Sequence, residues 1–164
     1  NLFFLIALAG VGKAQNEANM TINHDAPVVQ KKEIIIDVAP EKVWKILTEI
    51  DNWDNWNDRI KNPNVAGSLT VGKTFTWKIN GSKIKSELHT FKQNSALGWK
   101  GKTFGAKAIH NWYLESHEKG TRVLVKESME GWIIWLMKQK MNRILSEDLV
   151  YWLEQLKIES EKQK

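Results

Sequence analysis

The chain has 164 residues, of which 42% are hydrophobic, and its formal net charge is +5. This is the size of one globular domain, and its lysines are scattered singly rather than gathered in a stripe, which argues against a nucleic-acid partner. The sequence contains no cysteine, which excludes disulfides, thiolate nucleophiles and cysteine-ligated metals. Its nine tryptophans must mostly be buried or line a cavity.

The first segment is an apolar run over residues 2–11, which is too short to span a bilayer, since a spanning helix takes about 20 residues. It fits the hydrophobic region of a secretory signal peptide, with small residues at Gly12 and Ala14 for cleavage and the basic region expected upstream of this sequence. We therefore predict a signal peptide over residues 1–14, a linker over residues 15–27 and an exported protein, periplasmic or secreted. The alternatives are a cytoplasmic protein, or one that an uncleaved N-terminus tethers to a membrane.

The next elements are a strand and two short helices. Ile34, Ile36 and Val38 fall on one face of the predicted strand. Pro40 suits a first helical turn because its missing N–H would be unpaired there, and residues 51–57, dense in capping residues, form a second short helix or turn. We interpret the tryptophans of this region as packing for the short helices: Trp44, Trp53 and Trp56.

A run of strands follows. The alternation of apolar and polar residues predicts strands at residues 74–79, 83–92, 96–102, 107–115 and 121–129. Asn80-Gly81 is typical of a two-residue hairpin turn, and a polar turn containing Lys119-Gly120 joins the last two strands. Short turns of this kind predict an antiparallel sheet.

The longest helical pattern runs from Gly131 to about Ile158. Apolar residues recur there at steps of three or four, on one face: Ile134, Met137, Met141, Leu145, Leu149, Trp152 and Leu156. At about 1.5 Å per residue this helix would be roughly 40 Å long. It cannot bury its apolar face alone, so we expect the sheet to cover it.

Four motifs follow one another along the chain. They are residues 37–44 at the end of the first strand, the Trp53-Asp54-Asn55-Trp56-Asn57 turn, Gly72 before an aromatic strand, and Gly120-Thr121-Arg122-Val123 leading to Glu127 and Gly131. In these the chain resembles the polyketide cyclase/dehydrase and lipid-transport family of the START-like, or birch-pollen-allergen-like, superfamily. The resemblance implies an α+β helix-grip fold over residues 28–160, as a single domain. In that fold a curved antiparallel sheet of about six to seven strands wraps the long C-terminal helix, two short helices follow the first strand, and the interior is an apolar cavity.

The last predicted hairpin brings a histidine opposite a carboxylate. If its turn centres between Glu118 and Lys119, His110 faces Glu127, and the flanking pairs on the same face are apolar. A buried charge is costly unless it is paired. The pair is therefore either a catalytic or ligand-orienting dyad capable of acid–base chemistry, or a satisfied structural pair, or a site where a one-residue bulge turns one partner outward.

Strand parity and the helix face together predict the cavity lining. The residues expected on inward faces are Phe75, Trp77, Ile84, Leu88, Trp99, Trp112, Val125, Met129, Ile134, Met137 and Met141. Such a wall suits a lipid, an isoprenoid or a polyketide-like ligand, although inward tryptophans can also simply fill the core. No metal or cofactor is predicted, because the four histidines lie on different elements without metal-ligand spacing.

Residues 132–137 are apolar on all sides, so one side of this helical turn cannot face the sheet. An exposed aromatic patch there would suit peripheral membrane contact, with Lys138 and Lys140 near anionic headgroups. The alternative is that a loop around Phe104-Gly105 covers it.

Three functions are consistent with the sequence. The first is a cofactor-free binding or transport protein for a small hydrophobic ligand, monomeric or weakly dimeric. The second is a cyclase, aromatase or dehydratase that uses His110 and Glu127 as acid and base. The third is a protein-interaction domain. We favour binding, because a lone polar pair without a further donor for a developing oxyanion is limited catalytic equipment.

Overall fold

The computed structural model describes residues 20–162, so the predicted signal peptide lies outside the described residues. The strands are β1 (Val28–Ile36), β2 (Ile60–Val65), β3 (Thr74–Ile79), β4 (Ser82–Lys92), β5 (Ala96–Thr103), β6 (Ala106–His117) and β7 (Gly120–Glu130). The helices are α1 (Pro40–Thr48), α2 (Trp53–Trp56), α3 (Trp132–Leu136) and α4 (Lys138–Glu161), with a 3₁₀ turn at Ile50–Asn52. Among the described residues, no helix combines the length and the apolar character needed to cross a membrane.

The strands form one seven-stranded antiparallel sheet in the order β1-β7-β6-β5-β4-β3-β2. The short helices lie between β1 and β2 in the chain and therefore connect the two edges of the sheet. Helix α4 packs against β1 and against α1 and α2, and it buries Leu145, Leu149, Trp152, Leu153 and Leu156. The predicted α+β class and the sheet wrapped around a C-terminal helix are confirmed.

The register predicted for the last hairpin is also confirmed. The structure pairs Ala108 with Met129, His110 with Glu127, Trp112 with Val125, and Leu114 with Val123. In the earlier hairpin, Trp77 faces Ile84. Short turns fix these registers, because a slip by one residue would move every inward side chain to the opposite face.

Strand β2 is an element that the sequence pattern did not predict. It contains Pro63, and its pairing with β3 shifts register between Lys61 and Asn64, where Asn62 has a positive φ of 49°. Proline is tolerated in this place because β2 is an edge strand. The backbone N–H of Val65 donates to the Asp51 carboxylate at 2.6 Å, which ties the edge to the preceding 3₁₀ turn.

The predicted single helix from Gly131 to Ile158 is wrong in one respect, since it is two helices. The backbone leaves helical geometry at Met137, with φ −110° and ψ 26°. No proline or glycine marks this break, so no sequence signal was available. Before the break, α3 buries Ile134 and leaves Trp135 and Leu136 exposed.

Gly120 is the position where the backbone depends most clearly on glycine. Its φ is 115°, and a Cβ there would overlap the carbonyl oxygen of Ile36 and lie 2.7 Å from the nitrogen of Val38. Gly81 also has a positive φ, 77°, but a Cβ there would meet nothing within 4 Å.

We expect Gly81→Ala to lower the free energy of unfolding by about 1–2 kcal/mol through its positive φ alone. Gly120→Ala should cost at least about 1 kcal/mol more, because backbone atoms of a neighbouring segment must also move. Equilibrium urea unfolding measures both. Equal losses of unfolding free energy in the two variants would mean that the backbone of residues 36–38 can move aside without an energetic cost.

Candidate functional site

A cavity of about 240 Å³ lies between the inner face of the sheet and helices α3 and α4. Most of its wall is apolar, and its less exposed polar groups are Thr103, His110, Glu127 and Asp148. Asp148 is paired with Arg59 and Asn80. Five lining residues are themselves exposed: Asn80, Ser82, Lys102, Phe104 and Lys107. They mark a mouth beside the β3–β4 turn and the β5–β6 turn.

His110 and Glu127 meet across the β6–β7 ladder inside this wall. The Nδ1 atom of His110 is hydrogen-bonded to the Oε2 atom of Glu127. The His110 side chain is 3% exposed and that of Glu127 is 12% exposed, so neither partner is turned out to solvent. The sequence expectation of a one-residue bulge at this pair is therefore wrong.

Aromatic rings hold the imidazole in place. It stacks on Trp99, with ring centroids 4.4 Å apart and planes 6° from parallel. Trp112 and Trp152 contact the same ring at 5.4 and 5.5 Å. A ring packed in this way cannot rotate freely, so the direction of its second nitrogen is fixed by packing as well as by the carboxylate.

The Nε2 atom of His110 is buried and has no hydrogen-bond partner among the described residues. When Nδ1–H donates to the Glu127 carboxylate, the neutral imidazole presents Nε2 as an acceptor, and the imidazolium presents it as a donor. In the first state Nε2 matches a hydroxyl donor, and in the second it matches a carbonyl acceptor.

Trp53 fills the deep end of the interior. It is fully buried, and its indole N–H donates to the Leu47 carbonyl at 3.0 Å. Its ring contacts Trp99 at 5.5 Å and Trp152 at 5.3 Å. Trp53 therefore does more than pack the short helices, because it joins the sheet to α4 and closes the interior beneath the dyad.

Seven predicted lining residues surround the cavity: Trp77, Ile84, Trp99, Met129, Ile134, Met137 and Met141. The other four predicted residues are buried but do not line this cavity: Phe75, Leu88, Trp112 and Val125. Phe75, for example, packs edge-on against Trp53 and Trp99. Strand alternation correctly placed these four side chains on the inner face of the sheet. They do not reach the cavity, because packed aromatic rings, including Trp53 and Trp99, fill the space in front of that part of the sheet.

The sequence interpretation missed the small residues that create the space. Gly101, Ala106 and Ala108 line the cavity on β5 and β6. The register predicted for the last hairpin puts Ala108 opposite Met129 on the inner face, so its small size was the available signal. Trp152 also lines the cavity from the predicted apolar face of α4.

His89 lies outside this site although it too is buried. It sits where the β4–β5 register shifts between Leu88 and Thr90, and its Nδ1 atom lies 2.9 Å from the Thr90 hydroxyl. Burial, reinforced by the positive charge of Lys100, lowers the pKa of His89 from 6.5 to about 4. Among the residues that the structure describes, no three or more histidines and carboxylates cluster in a way that could hold a metal ion.

Comparison with known sequences places this architecture in a family. The profile of the family described as polyketide cyclase / dehydrase and lipid transport matches residues 28–161. The chain belongs to this family. No curated protein matches the sequence.

Solved structures similar to this family member share its fold at low sequence identity. The hypothetical protein jhp0584 from Helicobacter pylori superposes with a TM-score of 0.75 at 16% identity, covering 96% of this chain and 99% of its own. A START superfamily protein from Mycobacterium smegmatis gives 0.72 at 12%, covering 83% and 99%. The Zhui aromatase/cyclase from Streptomyces sp. R1128 gives 0.72 at 8%, covering 82% and 94%. Identities this low establish the fold alone.

Trp53 offers a direct test of how the deep interior is closed. Trp53→Ala should lower the free energy of unfolding by about 3–5 kcal/mol, because it leaves a cavity among rings that cannot collapse onto it. Trp135→Ala is the matched control: this tryptophan is 75% exposed, and its removal should cost less than about 0.5 kcal/mol. Urea unfolding measures both, and similar losses would contradict the assigned packing.

The pKa of His89 predicts a loss of stability in acid. As the pH falls below 6.5 the unfolded chain binds the proton first, while the folded chain resists protonation until about pH 4. Between pH 6.5 and pH 5 this histidine should cost about 2 kcal/mol of stability. His89→Gln should remove that part of the pH dependence, and the exposed His24→Gln is the control. If the free energy of unfolding changes with pH by the same amount in wild type and in His89→Gln, the lowered pKa of His89 is contradicted.

Proposed function

We propose that this protein binds a small, largely apolar ligand in the cavity and that His110 orients one oxygen atom of that ligand. The observation that carries the proposal is the buried Nε2 atom of His110, which has no partner among the described residues and belongs to a ring in the cavity wall. A buried polar atom without a partner costs about 1–3 kcal/mol. A ligand oxygen at this nitrogen would recover that cost.

The rest of the wall suits an apolar molecule. Met129 on the sheet and Met137 and Met141 on the helical side line the cavity, and methionine side chains adapt to irregular ligand shapes. Trp77 and Trp99 supply flat apolar surfaces on the sheet. This combination supports a ligand with one polar end and an apolar body, of the isoprenoid, polyketide-like or lipid class.

The size of the cavity limits the ligand further. Its volume of about 240 Å³ is below the range of roughly 300–1,000 Å³ typical of small-molecule sites. We therefore expect either a compact ligand or the polar end of a longer one whose remainder extends through the mouth. The family name includes lipid transport, which agrees with a longer ligand that extends through the mouth.

Native mass spectrometry of the purified protein, followed by organic extraction, tests the proposal. We expect a co-purified apolar compound carrying at least one hydroxyl or carbonyl. Ala108→Leu should exclude it, because the added side chain fills the cavity where β6 now leaves room. Lys119→Ala, in an exposed turn, is the control. An empty wild-type protein that also takes up no hydrophobic fluorescent probe would overturn the proposal.

The dyad is tested separately. His110→Phe keeps the stacking with Trp99 but removes Nε2, so we expect affinity for the identified compound to fall about tenfold, the loss of one buried hydrogen bond. Affinity for an apolar probe without oxygen should remain within about twofold. Equal losses for both ligands would show that the substitution disturbs the cavity instead of removing a specific contact.

A second candidate function is acid–base catalysis on a carbonyl compound, which the carboxylate-bound imidazole in the cavity wall favours. The Zhui aromatase/cyclase shares the fold. Glu127→Gln separates the two functions. A binding protein should keep its affinity within a few-fold, whereas an enzyme should lose about 10²-fold or more in turnover of the identified compound.

A further inference from the structure

Four large apolar side chains are exposed together beside the cavity mouth: Phe104, Trp132, Trp135 and Leu136, at 81%, 60%, 75% and 69% exposure. We call this group the mouth patch. Phe104 lies in the β5–β6 turn and also lines the cavity, so the patch and the cavity share a rim. Exposed aromatic side chains grouped in this way mark an interaction site more often than scattered single ones do.

The structure decides between the two expectations for this region. The β5–β6 turn does reach α3: Phe104 packs edge-on against Trp132 with centroids 5.8 Å apart, and the backbone N–H of Ile133 donates to the Gly105 carbonyl at 3.4 Å. The turn joins the apolar surface without covering it, however, since both rings remain mostly exposed. The expectation that this loop hides the patch is wrong.

Positive charge surrounds the patch. Lys102, Lys107, Lys138 and Lys140 are exposed on the two segments that carry it. Of these, only Lys107 has a carboxylate partner among the described residues, Glu130 at 2.9 Å. Glu130 is itself further bound by the Asn23 side chain, and Glu127 is turned into the cavity wall. The rim is therefore apolar at its centre and cationic around it.

We propose that the mouth patch docks on the surface of a bilayer that contains anionic lipids. Tryptophan and phenylalanine favour the headgroup region, where an apolar ring and its polar edge are both accommodated. Lysines next to them are attracted to anionic headgroups by about 1 kcal/mol each. In this orientation the cavity mouth faces the membrane. The docking proposal does not rest on ligand binding, because Trp135, Leu136, Lys138 and Lys140, which the variants below change, do not line the cavity.

Vesicle flotation with the full chain tests the docking. Trp135→Ser combined with Leu136→Ser should lower partitioning onto phosphatidylcholine–phosphatidylglycerol vesicles about tenfold or more. Val150→Ser combined with Ile158→Ser is the matched control, since both side chains are exposed on α4, with Ile158 about 30 Å along the helix from Lys138. This control should bind as wild type does.

The charge contribution has its own variant. Lys138→Gln combined with Lys140→Gln should weaken binding about fivefold per lysine on anionic vesicles. It should have little effect on vesicles of phosphatidylcholine alone, and added salt should reduce the difference. Ala108→Leu should leave vesicle binding unchanged, so that failure of ligand binding and failure of docking are distinguished.

Three results would overturn the proposal. Undiminished binding of the Trp135→Ser, Leu136→Ser variant would assign membrane contact to another segment, such as the apolar run at residues 2–11. Equal binding to neutral and anionic vesicles would remove the role of the lysines. A wild-type chain that dimerises through the patch in sedimentation experiments, and does not bind vesicles, would assign the surface to a second copy.

Discussion

The packing of Trp53 against Trp99 and Trp152 is the contact on which the interior depends. It joins three elements distant in sequence: α2, the central strand β5 and helix α4. Because large rings fill this end, the sheet and helix are held apart beyond it. The small residues Gly101 and Ala108 then leave the separation unfilled. The cavity is thus a consequence of large side chains at one end and small ones at the other.

The His110–Glu127 pair draws its character from that arrangement. Two adjacent strands place the groups opposite each other, and the ring of Trp99 prevents the imidazole from turning. The carboxylate satisfies one nitrogen, while the other, Nε2, is buried without a hydrogen-bond partner among the described residues. The ring to which it belongs lines the cavity. A pair with both nitrogens satisfied would be purely structural, and this one unsatisfied atom is the feature on which the proposed ligand recognition rests.

The helical turn at residues 132–137 gives the mouth two different surfaces. Ile134 packs inward, Met137 lines the cavity, and Trp135 remains exposed within the same few residues. Because this turn is apolar on all sides, one of its faces is exposed while another is buried. Interior and exterior apolar surfaces therefore adjoin at the rim.

The sequence by itself determined the class of fold, the register of the last hairpin and the facing of His110 and Glu127, because strand alternation and short turns are local properties of the chain. It could not separate Met129, which lines the cavity, from Val125, which does not, since both lie on the inner face of β7. The sequence also did not predict edge strand β2 or the helix break at Met137, because neither produces a periodic pattern of apolar residues. Only the tertiary structure decided which inward side chains meet open space, because that depends on the volumes of residues that distant elements bring together.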